Sequence, residues 1–351
     1  MTFAGLFDSS ASTRSTSNYF SRTVVTRNSS DLFDILPIEA RAKIIRKKQP
    51  DWWNPMLATL TREPFSNPNW LYEPKLDGIR CLAFRNGRRL NMFSRNQLSL
   101  NESFPTLSAA VLQQNVPSFI VDGEIVAMKN GVSRFELLQK RGQMKVPVLY
   151  YLFDILYVAG YDVTHLELRY RKELLRRAIA FKDPLRFSEH RVGSGEEFFR
   201  EACRKQWEGI IAKRADSIYV HQRSSDWLKF KCENQQEFVI VGYSEPAGQR
   251  VGIGALLVGV YDRGKLLYAG KVGTGFDTET LKILEKKLSA IERSTPACVG
   301  DSLPKSKVHW VDPKLVAQIA FTEWTSAGKL RHPRFLGLRI DKKAREVVRE
   351  S

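Results

Sequence analysis

Between Trp52 and about Glu233, short runs rich in β-branched and aromatic residues follow one another with few helical stretches between them, and this order constrains the fold more than any other feature. The runs are CLAFR from Cys81, SFIVDGEIVAM from Ser118, VLYYLFDIL from Val148, GIIAKR from Gly209 and WLKFK from Trp227. Each has the length and residue types of a strand. Helical patterns occur at 104–115, 168–181 and 195–206, the last announced by Ser194 with Glu197 three residues on, a capping box. A doubly wound parallel sheet needs a regular alternation of strand and helix. The sequence over 51–233 is too strand-rich and irregular for that, and predicts an α+β domain of antiparallel sheets and helices.

After Cys232 the texture changes. FVIVGYSEP, ALLVGVYDRGKLLYAGKVG and VHWVDPKLVAQIAFTEW give short strands with a tight turn at Asp262-Arg263-Gly264, plus one helix over 277–292. Such strands and a single helix over 234–351 fit a small Greek-key barrel of the OB type.

Charge narrows the partner. Lys and Arg number 55 against 38 Asp and Glu, a net charge of +17, which favours a polyanion: nucleic acid first, an anionic membrane surface second. No apolar run is long enough to span a bilayer and no signal peptide opens the chain, so nucleic acid leads and no membrane partner is expected. Cys81, Cys203, Cys232 and Cys298 are scattered without a CxxC pair, reading as reduced thiols of a cytoplasmic protein and leaving any metal to oxygen ligands. Residues 1–50 read as a basic, flexible or partly helical extension. Its first thirty residues carry Arg14, Arg22 and Arg27 against Asp8, a mobile tail with an organelle transit peptide as the second reading. The segment 31–48 suggests one or two short helices, for which a solvated face and an auxiliary DNA contact are evenly matched readings.

Chemistry concentrates around YEPKLDGIR, Tyr72 to Arg80. By itself Lys-x-Asp-Gly fits a solvated hairpin turn. A lysine amine attacks a nucleotide α-phosphate only when unprotonated, and nearby cations are one means of lowering its pKa. Lys229 and Lys231, alternate residues of one strand, point the same way and could supply that field while holding the phosphate. A solvated edge strand is the plainer reading of that lysine pair.

Downstream of Lys75 stand SRN at Ser94, DGEIV at Asp122, YLFDIL at Tyr151, EGIIAKR at Glu208, WLKFK at Trp227 and RHPRFLGLRIDKK at Arg331. In that order the set resembles the motif series of ATP-dependent DNA ligases, most nearly the ligase module of bacterial ligase D and its stand-alone relatives. The likeness runs from Pro55 to about Lys343. It implies a nucleotidyltransferase domain followed by an OB-fold domain, and a reaction through lysine-bound AMP. Lys75 matches the adenylated lysine. Asp77 would serve the sealing step, and Arg80 would reach the nucleotide sugar and the nick. Arg95 matches an arginine at the nick phosphate, Glu124 would bind the ribose, and Phe153 would stack on adenine while Glu73 helps read its amino group. Glu208 would hold a metal, Mg2+ or Mn2+. Arg339, Asp341 and Lys342 would form the final motif, its arginine and lysine orienting pyrophosphate as the barrel closes. One departure stands at Gln222, where relatives usually carry glycine.

The implied partners are ATP and nicked duplex DNA, with a Ku-type end-binding protein a further candidate, for a monomer associated with the bacterial nucleoid. RNA ligases and capping-type guanylyltransferases share the Lys-x-Asp-Gly chemistry, and a non-catalytic DNA-end-binding module would keep the clamp without the reaction. NAD-dependent ligases are disfavoured, because their cysteine-rich finger is missing from these residues.

Overall fold

The computed structural model describes residues 32–142, 146–246, 252–300, 302–304 and 306–350. The basic tail expected over 1–30 lies outside them.

Alternation along the strands builds the first lobe. One sheet runs in the order Ile45–Arg46, Tyr161–Asp162, Val148–Val158, Ser118–Lys129, Ile79–Asn86, Arg89–Ser94. In Ser118–Lys129, Phe119, Val121 and Ile125 join the core beneath the helices, whereas Ile120 packs into a cluster with Met56, Phe153 and Trp227 on the other face. Asp122 and Glu124 share the parity of Ile120, so the two-residue period that fills the core also turns both carboxylates towards that second face. Ile79–Asn86 behaves likewise, with Cys81 and Ala83 in the helix-side core and Leu82 and Phe84 opposite. Arg80 shares their side.

A second sheet faces this one, ordered Arg191–Val192, Trp70–Pro74, Gly209–Arg214, Arg223–Lys231, Leu57–Leu60. Its last pair is parallel, as is Leu185–Phe187 on Val148–Val158, two exceptions to the expected antiparallel pattern. Both need a long crossover that local alternation does not announce. Arg223–Lys231 lies between two partners, so its lysines are not on a solvated edge.

Asp77-Gly78 is not a hairpin turn. A Cβ on Gly78 would lie 2.2 Å from the Ile125 carbonyl oxygen, so glycine is needed for the close approach of Ser118–Lys129. Gly209, beside Glu208, has φ +151° and a virtual Cβ 1.8 Å from the Phe230 oxygen. The helix expected over 195–206 spans Gly195–Arg204, with Ser194 at its N-cap but no side-chain capping bond. Ser66 replaces the expected capping box: its Oγ accepts from Glu196 N at 3.2 Å and donates to Glu196 Oε2 at 2.7 Å.

Residues 32–50 pack on the first lobe. Leu32, Leu36 and Ala40 enter its core, residues 32–33 and Ile38–Arg41 are helical, and Ile45–Arg46 pairs with Tyr161–Asp162. In the second lobe, Asn234–Ser244 pairs with Ala255–Asp262, Val308–Val311 and Val316–Phe321, while Lys265–Val272 and Arg334–Arg339 extend the sheet on either side. The helix Thr278–Ser289 is capped by Asp277, whose Oδ1 accepts from Thr280 N at 2.8 Å.

The cysteine expectation is corrected. Cys203 and Cys232 form a disulfide, and only Cys81 and Cys298 are free, both buried. Their separation of 29 residues carries no local signature, because the meeting of the helix Gly195–Arg204 with the end of Arg223–Lys231 decides the pair. Among the described residues no helix is long and apolar enough to cross a membrane.

A buried fork supports the strand that carries Phe153. Arg171, with no exposed side-chain surface, donates to both Asp154 oxygens at 2.8 and 2.9 Å and to the Leu166 and Ser217 carbonyls at 2.6 and 2.9 Å. Arg171→Met should cost about 3–5 kcal/mol by leaving Asp154 buried without its cation. Urea unfolding checks this, and Arg171→Lys should recover only part because lysine lacks the fork.

Candidate active site

The cleft between the sheets is closed over by the second lobe. Its lining includes Glu73, Lys75, Asp77, Arg80, Arg95, Glu124, Phe153, Glu208, Lys229, Lys231, Arg339, Asp341 and Lys342. Thus every site residue expected from the sequence lies at one cavity.

Lys75 follows the strand Trp70–Pro74, and its backbone N donates to the Gly209 carbonyl at 2.9 Å. That bond sets its side chain beside Glu208, with Nζ 2.5 Å from Glu208 Oε2. Burial pulls the amine down, but the carboxylates of Glu208, Asp77 and Glu124 outweigh it and hold Lys75 above its ordinary range. Lys75 and Lys229 do repel each other, but at Lys75 the carboxylates prevail over the positive field expected from the sequence. Lys229 and Lys231 lie within reach of Glu350, at 2.9 Å and 2.7 Å respectively. Lys229 nevertheless falls to about 8, through burial first and the charge of Lys231 second, against the pull of Glu350.

Two neighbouring acids are pushed the other way. Burial raises Glu124 to about 8 despite Arg80, Lys75 and Arg339, and burial together with Glu208 raises Asp77 to about 6. Asp77 is fixed at both ends: its N donates to Ser133 Oγ at 3.0 Å, and Oδ2 accepts from Phe135 N at 3.1 Å. Surplus carboxylate around one lysine suits a hard cation. Among the described residues no group of three or more His, Cys, Asp or Glu side chains could hold a metal. A divalent ion would therefore need Glu208 and substrate phosphates together, the usual habit of magnesium.

Arg80 does not reach into open space. Its guanidinium forks onto buried Asp122, donates to the Met56 carbonyl at 3.2 Å, and lies 4.7 Å from the Phe153 ring centroid. Tyr219 Oη closes the group by donating to Asp122 Oδ2 at 2.7 Å. Phe153 is the extra residue of a β-bulge, skipped between the pairs Asp122–Asp154 and Gly123–Leu152, and faces the cleft at an edge-on 6.0 Å from Trp227.

At the inner end stands a triad of buried charges. Glu73 takes Lys172 on Oε1 at 2.6 Å, and Lys213 and Ser188 Oγ on Oε2 at 2.9 and 3.0 Å. Burial alone would raise this carboxyl, yet the two ammonium groups bring it to about 2. Lys213 also lies 4.0 Å from the Phe153 ring centroid, joining the acid to the aromatic wall.

The second lobe contributes from the strand Arg334–Arg339 and the residues after it. Arg339 forks onto Asp341 at 2.9 and 2.8 Å and rests 4.1 Å from the Phe135 ring centroid. Lys342 pairs with Glu237 at 3.1 Å. Asn96 Nδ2 donates to the Asp341 carbonyl at 3.3 Å, and Gln139 Nε2 donates to that of Leu338, so the first lobe holds this segment directly. Gln222 needs no left-handed backbone; its carbonyl accepts from Leu57 N at 3.1 Å.

Sequence reasoning missed Asp122 as the partner of Arg80, and also Tyr219, Lys172, Lys213, Ser188, Glu237 and Glu350. Asp122 and Lys213 stand inside the quoted motifs DGE and EGIIAKR, which could have drawn attention to them. The others come from distant segments and carry no local signal.

A two-sheet lobe with a lysine at its cleft, capped by an OB-fold lobe that delivers basic residues to that lysine, defines a nucleotidyltransferase. Comparison with known proteins narrows the class. The family model described as ATP dependent DNA ligase domain matches residues 55–231, and that for the ATP dependent DNA ligase C terminal region matches 249–342. The multifunctional non-homologous end joining protein LigD of Pseudomonas aeruginosa is 38% identical over 314 residues, 86% of this chain and 37% of that protein. A DNA ligase of Thermococcus fumicolans is 31% identical over 303 residues, covering 79% of this chain and 53% of that one. The solved structure of mycobacterial DNA ligase D complexed with ATP and MES is 33% identical with a TM-score of 0.63, covering 85% of this chain and 98% of that one. The chain belongs to the ATP-dependent DNA ligase family. It spans about two fifths of the length of the LigD relatives it matches.

Glu124 gives the site a pH signature. Its carboxyl ordinarily titrates at 4.5 and is raised to about 8 in the fold, so the unfolded chain ionises first as pH rises. Its contribution to stability is present below 4.5 and is lost progressively towards about 8. Glu124→Gln should therefore match the wild-type melting temperature in acid and exceed it in mildly alkaline buffer. A gap that stays constant with pH counts against a raised Glu124.

Proposed function

We propose that this chain seals nicks in duplex DNA in three phosphoryl transfers. The observation that carries the reading is the convergence of Lys75, Glu208, Lys229, Lys231, Arg339 and Lys342 on one cleft, in a member of the ligase family.

In the first transfer the unprotonated Lys75 Nζ attacks the ATP α-phosphorus. An N–P bond forms, the α–β bridging P–O bond breaks, and pyrophosphate leaves. Drawing Glu208 away from Lys75 removes the largest force that keeps the amine protonated, and burial then favours the neutral nucleophile. A divalent cation, Mg2+ or Mn2+, held by Glu208 and the phosphates would neutralise charge developing on the leaving group. In this reading Arg339 and Lys342 exchange their pairs with Asp341 and Glu237 for the departing pyrophosphate, while Lys229 and Lys231 hold the phosphate under attack. This is catalysis by positioning and charge.

In the second transfer an oxygen of the nick 5′-phosphate attacks the Lys75-bound AMP, and the N–P bond breaks. In the third the adjacent 3′-hydroxyl attacks the 5′-phosphorus, releasing AMP and closing the strand. Asp77 and Arg80 serve these later steps, with Arg95 at the nick phosphate. Glu124 takes the ribose, Phe153 the adenine face and Glu73 its amino edge. Residues 51–233 form the adenylation unit in this reading and 234–351 the OB-fold unit, with 1–50 an extension. The excess of basic residues would grip DNA through phosphates without reading sequence. Break repair beside a Ku-type protein, as a cytoplasmic monomer on the nucleoid, extends the same reading.

Incubation with α-labelled ATP and magnesium, followed by denaturing electrophoresis, tests it. Label should appear on wild type first stripped with pyrophosphate and magnesium, vanish with Lys75→Ala or excess EDTA, and chase onto a nicked duplex to give sealed product. Label from GTP rather than ATP would point to capping-type chemistry. Absence of label from either nucleotide would leave a DNA-binding module.

A further inference from the structure

Glu350 lines the cleft, yet neither the sequence motifs nor the proposed reaction uses it. Its carboxylate is divided between the two lysines assigned to the phosphate, Oε1 at 2.9 Å from Lys229 Nζ and Oε2 at 2.7 Å from Lys231 Nζ. The arrangement is built. Glu350 N donates to Gln236 Oε1 at 3.2 Å, and Gln236 Nε2 donates to the Val348 carbonyl at 3.3 Å. Tyr261 N donates to the Val347 carbonyl at 2.7 Å, and Val347 packs into the core of the second lobe. Two strands of that lobe thus present one carboxylate to two lysines of the first.

We infer that Glu350 is an internal stand-in for the nucleotide's phosphates: it seats the Lys229–Lys231 pair and must be displaced before ATP can use it. The inference rests on the proposed ligase reading for the identity of the ligand. Two carboxylate oxygens on two ammonium groups reproduce the charge and spacing of two phosphate oxygens, and both anions cannot hold the same donors. Binding to a site occupied most of the time by its own counter-ion is weakened by that occupancy. Glu350 also keeps two like charges on one strand tolerable until phosphate replaces it, so it is a positioning residue as well as a competitor. Because the second lobe carries it, opening that lobe withdraws the carboxylate and exposes both lysines together.

Equilibrium binding to wild type and Glu350→Gln tests the inference, with the protein stripped of AMP by pyrophosphate and magnesium and then dialysed into EDTA. Calorimetry with ATP, tripolyphosphate and adenosine separates the parts of the ligand. Glu350→Gln should bind ATP and tripolyphosphate about three- to tenfold more tightly, with adenosine affinity unchanged. Unchanged or weaker phosphate binding overturns the inference, as does an equal gain for adenosine, which would mean general opening of the cleft. Glu350→Ser removes the same charge and replaces Glu350→Gln should that variant misfold. Tripolyphosphate needs no turnover. A wild type that never takes label from ATP would sink the ligase reading alone, whereas a labelled wild type with no phosphate gain in either variant would sink this one alone.

Discussion

Opposite charges brought together out of water hold the cleft in shape. Lys75 pairs with Glu208, Arg80 with Asp122, Lys229 and Lys231 with Glu350, Arg339 with Asp341, and Lys342 with Glu237. A buried ion costs several kcal/mol unless a partner and further hydrogen bonds compensate it. These cations are therefore affordable only where the fold also supplies the acids. The acids come from almost every part of the chain: Asp122 from a central strand, Glu208 from the approach to a strand of the opposing sheet, and Glu237, Asp341 and Glu350 from the second lobe.

The consequence is a cleft whose cations already have partners. In the proposed reaction, phosphates taken by Lys229, Lys231, Arg339 or Lys342 would exchange one anion for another, placing selectivity in geometry rather than in the mere presence of positive charge. The carboxylates of Glu208, Asp77 and Glu124 hold Lys75 above its ordinary range, so in the proposed reaction its reactivity would depend on where Glu208 turns. The strand Arg223–Lys231 and its continuation into Asn234–Ser244 carry this coupling between lobes. Lys231 Nζ donates to the Gln235 carbonyl across that junction, and the disulfide from Cys203 to Cys232 fastens the same point to a helix.

Much of this was legible from residues alone, and the reasons are local. Strand length and residue type announced Ser118–Lys129 and Val148–Val158, while Arg80, Glu124 and Phe153 were picked out by the resemblance of their motifs rather than by periodicity. What escaped depended on distance. The parallel pairing of Leu57–Leu60 with Arg223–Lys231 needs a crossover of more than 160 residues, so no window could show it. Ser194 looked like a capping box, but the side-chain bond to the first turn comes from Ser66, on a loop far upstream. Asp-Gly after Lys75 looked like a turn and is instead a place where two backbones nearly touch.

By itself the sequence determined the class of element at most strands, which follows from residue type and run length, and through the resemblance of its motif series it determined the cleft residues and their order. Tertiary structure alone decided which acid meets which base. It set Lys172 and Lys213 on Glu73, joined Cys203 to Cys232, and brought Glu350 across the junction to Lys229 and Lys231. The physical reason is that a side chain's ionisation and reach depend on neighbours in space, and those neighbours come from segments as much as 245 residues apart along the chain.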